Sequence, residues 1–91
     1  MALKIAFIGA GSLGFTRTLT HDLLAVAEFQ DAEFALHDIS APNLKMIAQI
    51  LQRDLRANNL KARVTSTTDR RRAVADADYV VNSARVGGID A

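Results

Sequence analysis

The sequence predicts an α/β fold: a parallel sheet of about four strands with helices on both faces. Short apolar segments alternate along the chain with longer segments whose apolar residues recur at helical spacing. Short apolar strands that alternate with helices are typical of parallel sheets covered on both faces. The chain has 91 residues, of which 49% are hydrophobic and 23% charged, so it suffices for one domain with one modest core.

Four segments have the composition of strands. They are residues 4–8, 33–37, 62–66 and 78–84. Right-handed crossovers between successive parallel strands place them in the spatial order 3-2-1-4. This order is half of a doubly wound sheet, and the chain is expected to be truncated because two further strands would complete the domain.

Three helices are predicted between these strands, over about residues 12–27, about residues 42–58 and within residues 69–76. Ser40 and Asp69 stand at N-cap positions. The first helix has a stripe of buried positions at Thr16, Leu19, Leu23, Val26 and Ala27. The second has one at Leu44, Ile47, Ala48, Leu51 and Leu55.

A glycine-rich turn, Gly9-Ala10-Gly11-Ser12-Leu13-Gly14, links the first strand to the first helix. In this context Gly9 makes the tight turn, Gly11 leaves room for a pyrophosphate, and Gly14 lets the helix pack closely on the strand. The N–H groups and the positive dipole end of the helix then face the phosphates. The turn therefore predicts dinucleotide binding.

Asp38 follows the second strand, 24 positions after Gly14. In dinucleotide-binding folds, an acidic residue at the end of the second strand accepts hydrogen bonds from the adenosine ribose hydroxyls and repels the 2′-phosphate of NADP. Residues 37–41 contain no arginine that would accept that phosphate, so NAD is favoured. The alternative is that Asp38 only caps the following helix. Together, Asp38 and the glycine-rich turn predict a Rossmann-like half domain.

The candidate cofactor-binding residues lie in three segments of the predicted carboxyl edge of the sheet. They are Gly9, Gly11, Ser12, Leu13, Gly14, Phe15, Asp38, Ser83, Ala84 and Arg85. Ser12 is expected to donate a hydrogen bond to the pyrophosphate, or simply to start the helix. Phe15 is expected to lie at the cofactor, or alternatively to pack between the helix and the sheet. Arg85 either holds an anionic group or is a solvated loop residue.

Several other functions are disfavoured. A net charge of +1 provides no basic field for nucleic acid, and Arg70-Arg71-Arg72 is interpreted as a solvated helix face. His21 and His37 lack the spacing of a metal site, and no catalytic or metal-binding residue is assigned. The chain has no cysteine and no apolar run of membrane-spanning length, so a cytoplasmic location without membrane partners is expected.

The motifs resemble those of glycoside hydrolase family 4. The matching segments are residues 8–15, residues 35–39 and residues 76–82 with the loop 85–88, and the resemblance runs through the whole chain. It implies an N-terminal segment of an enzyme that uses NAD and a divalent metal, usually Mn²⁺. The metal ligands and the base of such an enzyme are expected beyond Ala91, so the chain alone is predicted to be inactive.

The resemblance also implies a redox route to glycoside cleavage. Hydride leaves C3 of the sugar for NAD⁺, a base removes the acidified C2 proton, and the aglycone is eliminated from C1. Water then adds, and the hydride returns to the sugar. The phospho-sugar branch of the family has Gly-Gly-Gly-Ser-Thr-aromatic-Thr-Pro at the turn, which residues 9–16 lack. Unphosphorylated α-glucosides, α-galactosides or α-galacturonides are therefore the expected substrates.

Two alternatives remain at this point. A malate- or lactate-type dehydrogenase shares the fold and the first glycine turn, although Ser12 and the 85–88 loop disfavour it. A non-catalytic nucleotide-binding module is the other. In each case the fourth strand forms an exposed sheet edge, so a homo-oligomer is expected.

Overall fold

The computed structural model describes residues 3–10 and 13–82, apart from the side chain of Leu13. Strands and helices alternate along this part of the chain. The elements are β1 (Lys4–Ile8), α1 (Leu13–Leu24), a 3₁₀ turn (Ala27–Phe29), β2 (Glu33–His37), α2 (Ala41–Ala57), β3 (Arg63–Thr67), α3 (Arg70–Val74) and β4 (Tyr79–Asn82).

The four strands form one parallel sheet in the order β3-β2-β1-β4, which confirms the predicted order. Strand β1 lies in the middle, where Ile8 is in register with His37 of β2 and with Asn82 of β4. The carboxyl ends of these three strands therefore meet at one edge of the sheet. The first two predicted strands have the bounds of β1 and β2, whereas β3 begins one residue later than predicted.

The two faces of the sheet are covered by different helices. On one face the larger side chains of the strands join those of α1 and α2 in a single apolar cluster. Phe7 and Phe34 form its centre, with ring centroids 6.3 Å apart and an edge-to-face angle of 66°. On the other face α3 packs against β1, β2 and β3, and the buried residues there are mostly small. They are Ala6, Ile8, Ala35, His37 and Ala73.

Helix α2 agrees with the predicted pattern, because all five residues of its apolar stripe are buried. It ends where Asn58 and Asn59 were expected to end it, and Asn59 has a positive φ of 54°. Ser40 is at the N-cap, but its side chain makes no capping hydrogen bond. In α3 the predicted cap is complete, since Asp69 Oδ1 accepts from the N–H of Arg71 at 3.0 Å.

Helix α1 is shorter than predicted, and its buried stripe agrees with the prediction only in part. It ends at Leu24, where the N–H groups of Ala25 and Val26 bond three residues back and the backbone of Val26 becomes extended. Val26, 43% exposed, is no longer in a helix. Among the described side chains of α1, the predicted Thr16 is buried, and Leu19 and Leu23 are partly buried against the apolar cluster. Thr20 and Leu24 are buried although they were not predicted, and Val26 and Ala27 lie beyond the end of the helix. Apolar spacing missed that end because neither glycine nor proline marks it.

Strand β4 begins at Tyr79, one residue later than predicted, and Asp78 just before it is bonded to the first residue of β1. Asp78 Oδ2 accepts from the N–H of Lys4 at 2.8 Å, and the Asp78 N–H donates to Lys4 O at 2.8 Å. Residues 83 and 84 of the predicted fourth strand lie outside the described residues. Within the described residues, none of the helices is both long enough and apolar enough to cross a membrane.

Candidate functional site

The candidate site lies at the carboxyl edge of the sheet, between β1 and its two neighbours. Helices α1 and α2 cover one face and α3 the other, so the connections diverge at β1 and β4. In open α/β sheets such a switch point leaves a crevice outside the carboxyl ends of the strands, and ligands bind there. Gly9 and Asp38 follow β1 and β2 directly at this edge.

The turn after β1 is fastened to the end of β2 through the backbone. Gly9 has φ of 82°, a conformation that glycine adopts without steric cost. The N–H groups of Gly9 and Ala10 both donate to the carbonyl of His37, at 2.9 and 2.7 Å. The glycine turn and the residue that precedes Asp38 are therefore one hydrogen-bonded unit.

The start of α1 is open at its surface. Gly14 is exposed, and a Cβ placed on it would meet no described atom within 4 Å. The prediction that Gly14 packs the helix closely on the strand is therefore wrong, because the space beside Gly14 is not filled by the sheet. Phe15 is 48% exposed, so its ring is not packed fully between helix and sheet either.

Thr16 connects α1 back to the turn. Its side chain is buried, and its hydroxyl donates to the carbonyl of Ala10 at 3.0 Å. Sequence reasoning counted Thr16 only as one member of a buried stripe. The available signal was a hydroxyl residue, rather than an apolar one, at the buried position nearest the glycine turn.

Asp38 lies directly after β2 with its side chain partly exposed. Its Oδ1 accepts from the N–H of Ser40 at 2.9 Å. This bond shapes the loop that leads into α2, while Ser40 itself is the N-cap residue of that helix. Ser40 therefore occupies the N-cap position, and Asp38 orders the approach to the helix.

The two histidines are in unrelated environments. His37 is buried beside the turn, and its Nδ1 has no hydrogen-bond partner among the described residues. His21 lies on α1, where its Nε2 is 3.0 Å from Asp54 Oδ2 of α2. In the part of the chain that the structure describes, no group of three or more His, Cys, Asp or Glu side chains could hold a metal ion.

Arg17 joins His21 in binding Asp54 and so ties α1 to α2. Its Nε and a terminal guanidinium nitrogen donate to the two carboxylate oxygens at 2.9 and 3.0 Å. Partial burial raises the pKa of Asp54, but the hydrogen bonds and charges of Arg17 and His21 outweigh it, so the pKa lies below its usual value.

Half of the predicted cofactor residues lie outside what the structure describes. These are Gly11, Ser12, Ser83, Ala84 and Arg85, together with the side chain of Leu13. The described residues Gly9, Gly14, Phe15 and Asp38 follow β1 or β2 at the carboxyl edge of the sheet. A strand, a glycine turn fixed to the next strand, an open helix start and a carboxylate fit a dinucleotide at that edge. The fold is that of a Rossmann-like domain.

Comparison with known proteins identifies the family. Residues 4–91 match the family described as "Family 4 glycosyl hydrolase", and the chain belongs to that family. The chain is therefore assigned to this family and not to the malate- or lactate-type dehydrogenases considered as an alternative from the sequence.

Individual relatives agree with this assignment. An α-galactosidase of Rhizobium meliloti (strain 1021) is 54% identical over 90 residues, which are 99% of this chain and 18% of that protein. An α-galactosidase of Bacillus subtilis (strain 168) is 38% identical over 93% of this chain and 20% of its own length. An α-glucosidase of Erwinia rhapontici is 34% identical over 96% of this chain and 19% of its own length. The chain thus spans about a fifth of the length of these relatives.

Two solved structures have the same fold. A 6-phospho-α-glucosidase from gut microorganisms, in complex with NAD and glucose-6-phosphate, has a TM-score of 0.80 at 30% identity, covering 97% of this chain and 20% of that one. Another, in complex with NAD and Mn²⁺, has a TM-score of 0.80 at 22% identity with the same coverage, which shows the likeness of fold alone.

Proposed function

We propose that this chain is the NAD-binding segment of a family 4 glycosidase that cleaves α-glycosides by redox elimination and addition. The observation that carries the proposal is the pair of hydrogen bonds from Gly9 and Ala10 to His37 O. They join the glycine turn to the strand end that presents Asp38. The proposed cofactor residues are those named from the sequence, including the five outside the described part.

The preference for NAD rests on Asp38. A carboxylate at the end of β2 accepts hydrogen bonds from ribose hydroxyls and repels a 2′-phosphate. The open space beside Gly14 gives the pyrophosphate room at the start of α1, where the helix dipole favours negative charge. The solved relative at 30% identity is a complex with NAD, which supports the same choice.

The proposed substrates are unphosphorylated α-glycosides, with α-galactosides first. Identity to an α-galactosidase is 54%, against 30% to a 6-phospho-α-glucosidase. The turn also lacks the Gly-Gly-Gly-Ser-Thr-aromatic-Thr-Pro sequence of the phospho-sugar branch.

In this proposal NAD is the reversible acceptor of hydride from C3 of the sugar. The residues of this chain bind and orient it: the turn and α1 hold the pyrophosphate, and Asp38 holds the ribose. The base and the ligands of a catalytic Mn²⁺ come from elsewhere in the whole enzyme. We also propose a cytoplasmic location, as expected from the composition of the chain.

Titration calorimetry of the chain with NAD and with NADP tests the cofactor assignment. We expect NAD to bind at least about tenfold more tightly than NADP, since a 2′-phosphate beside a carboxylate is repelled. Asp38→Asn is expected to narrow that ratio, and Asp31→Asn, an exposed aspartate outside the site, is expected to leave it unchanged. Equal affinity for the two cofactors, or no binding of NAD, would contradict the assignment.

Assays of the whole enzyme with Mn²⁺ test the reaction. Hydrolysis of an aryl α-galactoside without net NADH is expected, whereas a dehydrogenase would accumulate NADH. Residues 1–91 alone are expected to show no hydrolysis, and measurable turnover by them would contradict the proposed division of roles.

We also propose that the protein is a homo-oligomer. Within the described residues β4 is an edge strand of the sheet, and its Tyr79 and Val80 are 53% and 54% exposed, so association through this edge is favoured. Sedimentation of the protein as a stable monomer would contradict this.

A further inference from the structure

We propose that Thr16 is a positioning residue for NAD binding, because its hydroxyl fixes the peptide that leads from Ala10 into the glycine turn. The inference rests on the proposed role of that turn in binding NAD. Thr16 is not among the residues proposed above to bind the cofactor. The hydroxyl of Thr16 donates to Ala10 O at 3.0 Å, and both residues are fully buried.

Ala10 is held from two directions. Its N–H donates to His37 O of β2 at 2.7 Å, and its carbonyl accepts from Thr16 of α1. Because a peptide group is planar, fixing its carbonyl fixes the plane of the whole group. Thr16 therefore fixes the orientation of the Ala10 carbonyl, the last described group before the glycine-rich segment continues.

The bond is unusual for a helical threonine. Threonine hydroxyls within helices commonly donate to a carbonyl three or four residues earlier in the same helix. Thr16 instead reaches six residues back, to a residue that precedes α1. The hydroxyl thus joins the helix to the turn.

Thr20 provides an internal comparison one helical turn later. It is 1% exposed, on the same face of α1 as Thr16, and its Oγ1 has no partner among the described residues. The two threonines are alike in size and burial. They differ in whether the hydroxyl holds the turn, so the same substitution at each position isolates that bond.

Removing the Thr16 hydroxyl leaves the buried Ala10 carbonyl without its donor. An unsatisfied buried carbonyl is costly, so the peptide is expected to rotate toward another partner. Binding of NAD must then restore the original plane before the phosphates are held. The valine variant keeps the volume of the side chain and the β-branch, so packing is preserved.

Calorimetry with NAD on Thr16→Val, Thr16→Ser and Thr20→Val tests the proposal, with urea unfolding of each variant. We expect Thr16→Val to weaken NAD binding about tenfold, the cost of roughly one buried hydrogen bond. Thr16→Ser keeps the hydroxyl donor, so its affinity for NAD is expected to stay within about twofold of that of the unmodified chain. Thr20→Val is expected to bind NAD normally and to be at least as stable, because it removes an unpaired hydroxyl.

Amide hydrogen exchange provides a readout that does not need NAD. The Ala10 amide is expected to exchange faster in Thr16→Val than in Thr20→Val. Unchanged NAD affinity in Thr16→Val, or an equal loss in both valine variants, would overturn the proposal. If the unmodified chain does not bind NAD, the proposed function fails; equal Ala10 exchange in the two valine variants would separately overturn the role of Thr16 in fixing the turn.

Discussion

The two faces of the sheet are held in different ways. On the face of α1 and α2, large apolar side chains fill the space between sheet and helices. On the face of α3, small residues are buried, and polar groups fasten the short helix. Lys4 Nζ donates to the carbonyls of Arg72 and Ala75, at 3.2 and 2.6 Å, and Asp69 caps the other end.

The difference follows from the lengths of the helices. The 17 residues of α2 bury a stripe of five side chains, and burial of this kind is the dominant stabilising term. The five residues of α3 bury Ala73, which contributes little apolar area. A short helix must therefore be held by hydrogen bonds at its ends, whereas a long one is held by packing.

Truncation of a large side chain on the packed face should have the largest effect on stability. Phe34→Ala is expected to lower the free energy of unfolding by about 3–5 kcal/mol, because Phe34 is fully buried and a cavity remains. Urea denaturation measures the change. Phe29→Ala is the matched comparison, because Phe29 lies at the border of the same cluster, is partly exposed and contacts Tyr79 at a centroid distance of 5.8 Å. It is expected to cost less than Phe34→Ala, and equal losses in the two variants would contradict the importance of full burial at the centre of the cluster.

The helix caps should separate the two faces at a smaller scale. Asp69→Ala removes the hydrogen bond to the Arg71 N–H and is expected to cost about 1 kcal/mol. Ser40→Ala removes a side chain that makes no capping bond to α2, so a change below about 0.5 kcal/mol is expected. Both values come from urea unfolding at pH 7. If Ser40→Ala lowered the free energy of unfolding more than Asp69→Ala, the proposed difference between α2, held by packing, and α3, held by its cap, would be contradicted.

A small effect at neutral pH is also expected for the charges that tie α1 to α2. Arg17 and His21 are 47% and 48% exposed at their side chains, so Asp54→Asn should cost about 0.5 kcal/mol at pH 7. The pKa of Asp54 is lowered in the folded chain. Its contribution is therefore complete above the ordinary value of 3.8 and is lost as the pH falls below it. Unfolding measured from pH 6 to pH 3 should show a shallower loss for Asp54→Asn than for the unmodified chain. An unchanged slope would contradict the role of this carboxylate.

Most of the fold could be predicted from the sequence, because its signals are local. The bounds of β1 and β2 follow from short apolar runs, and the stripe of α2 follows from helical spacing over residues 44–55. The end of α1 could not be predicted, since it is marked by neither glycine nor proline. The role expected for Gly14 was also wrong, because a glycine pattern does not reveal whether the space beside a glycine is filled by the sheet or open.

The sequence by itself determined the α/β class, the strand order and the family. Periodicity predicts the class, the general right-handedness of crossovers gives the strand order, and the motif residues indicate the family. Only the tertiary structure decided how the candidate site is held together. The bonds that join Gly9 and Ala10 to His37 and Thr16 to Ala10 depend on strand register and on the rotation of α1 about its axis. Thr16 and Thr20 are chemically the same residue four positions apart. Their different roles arise because the first lies within reach of the turn and the second does not.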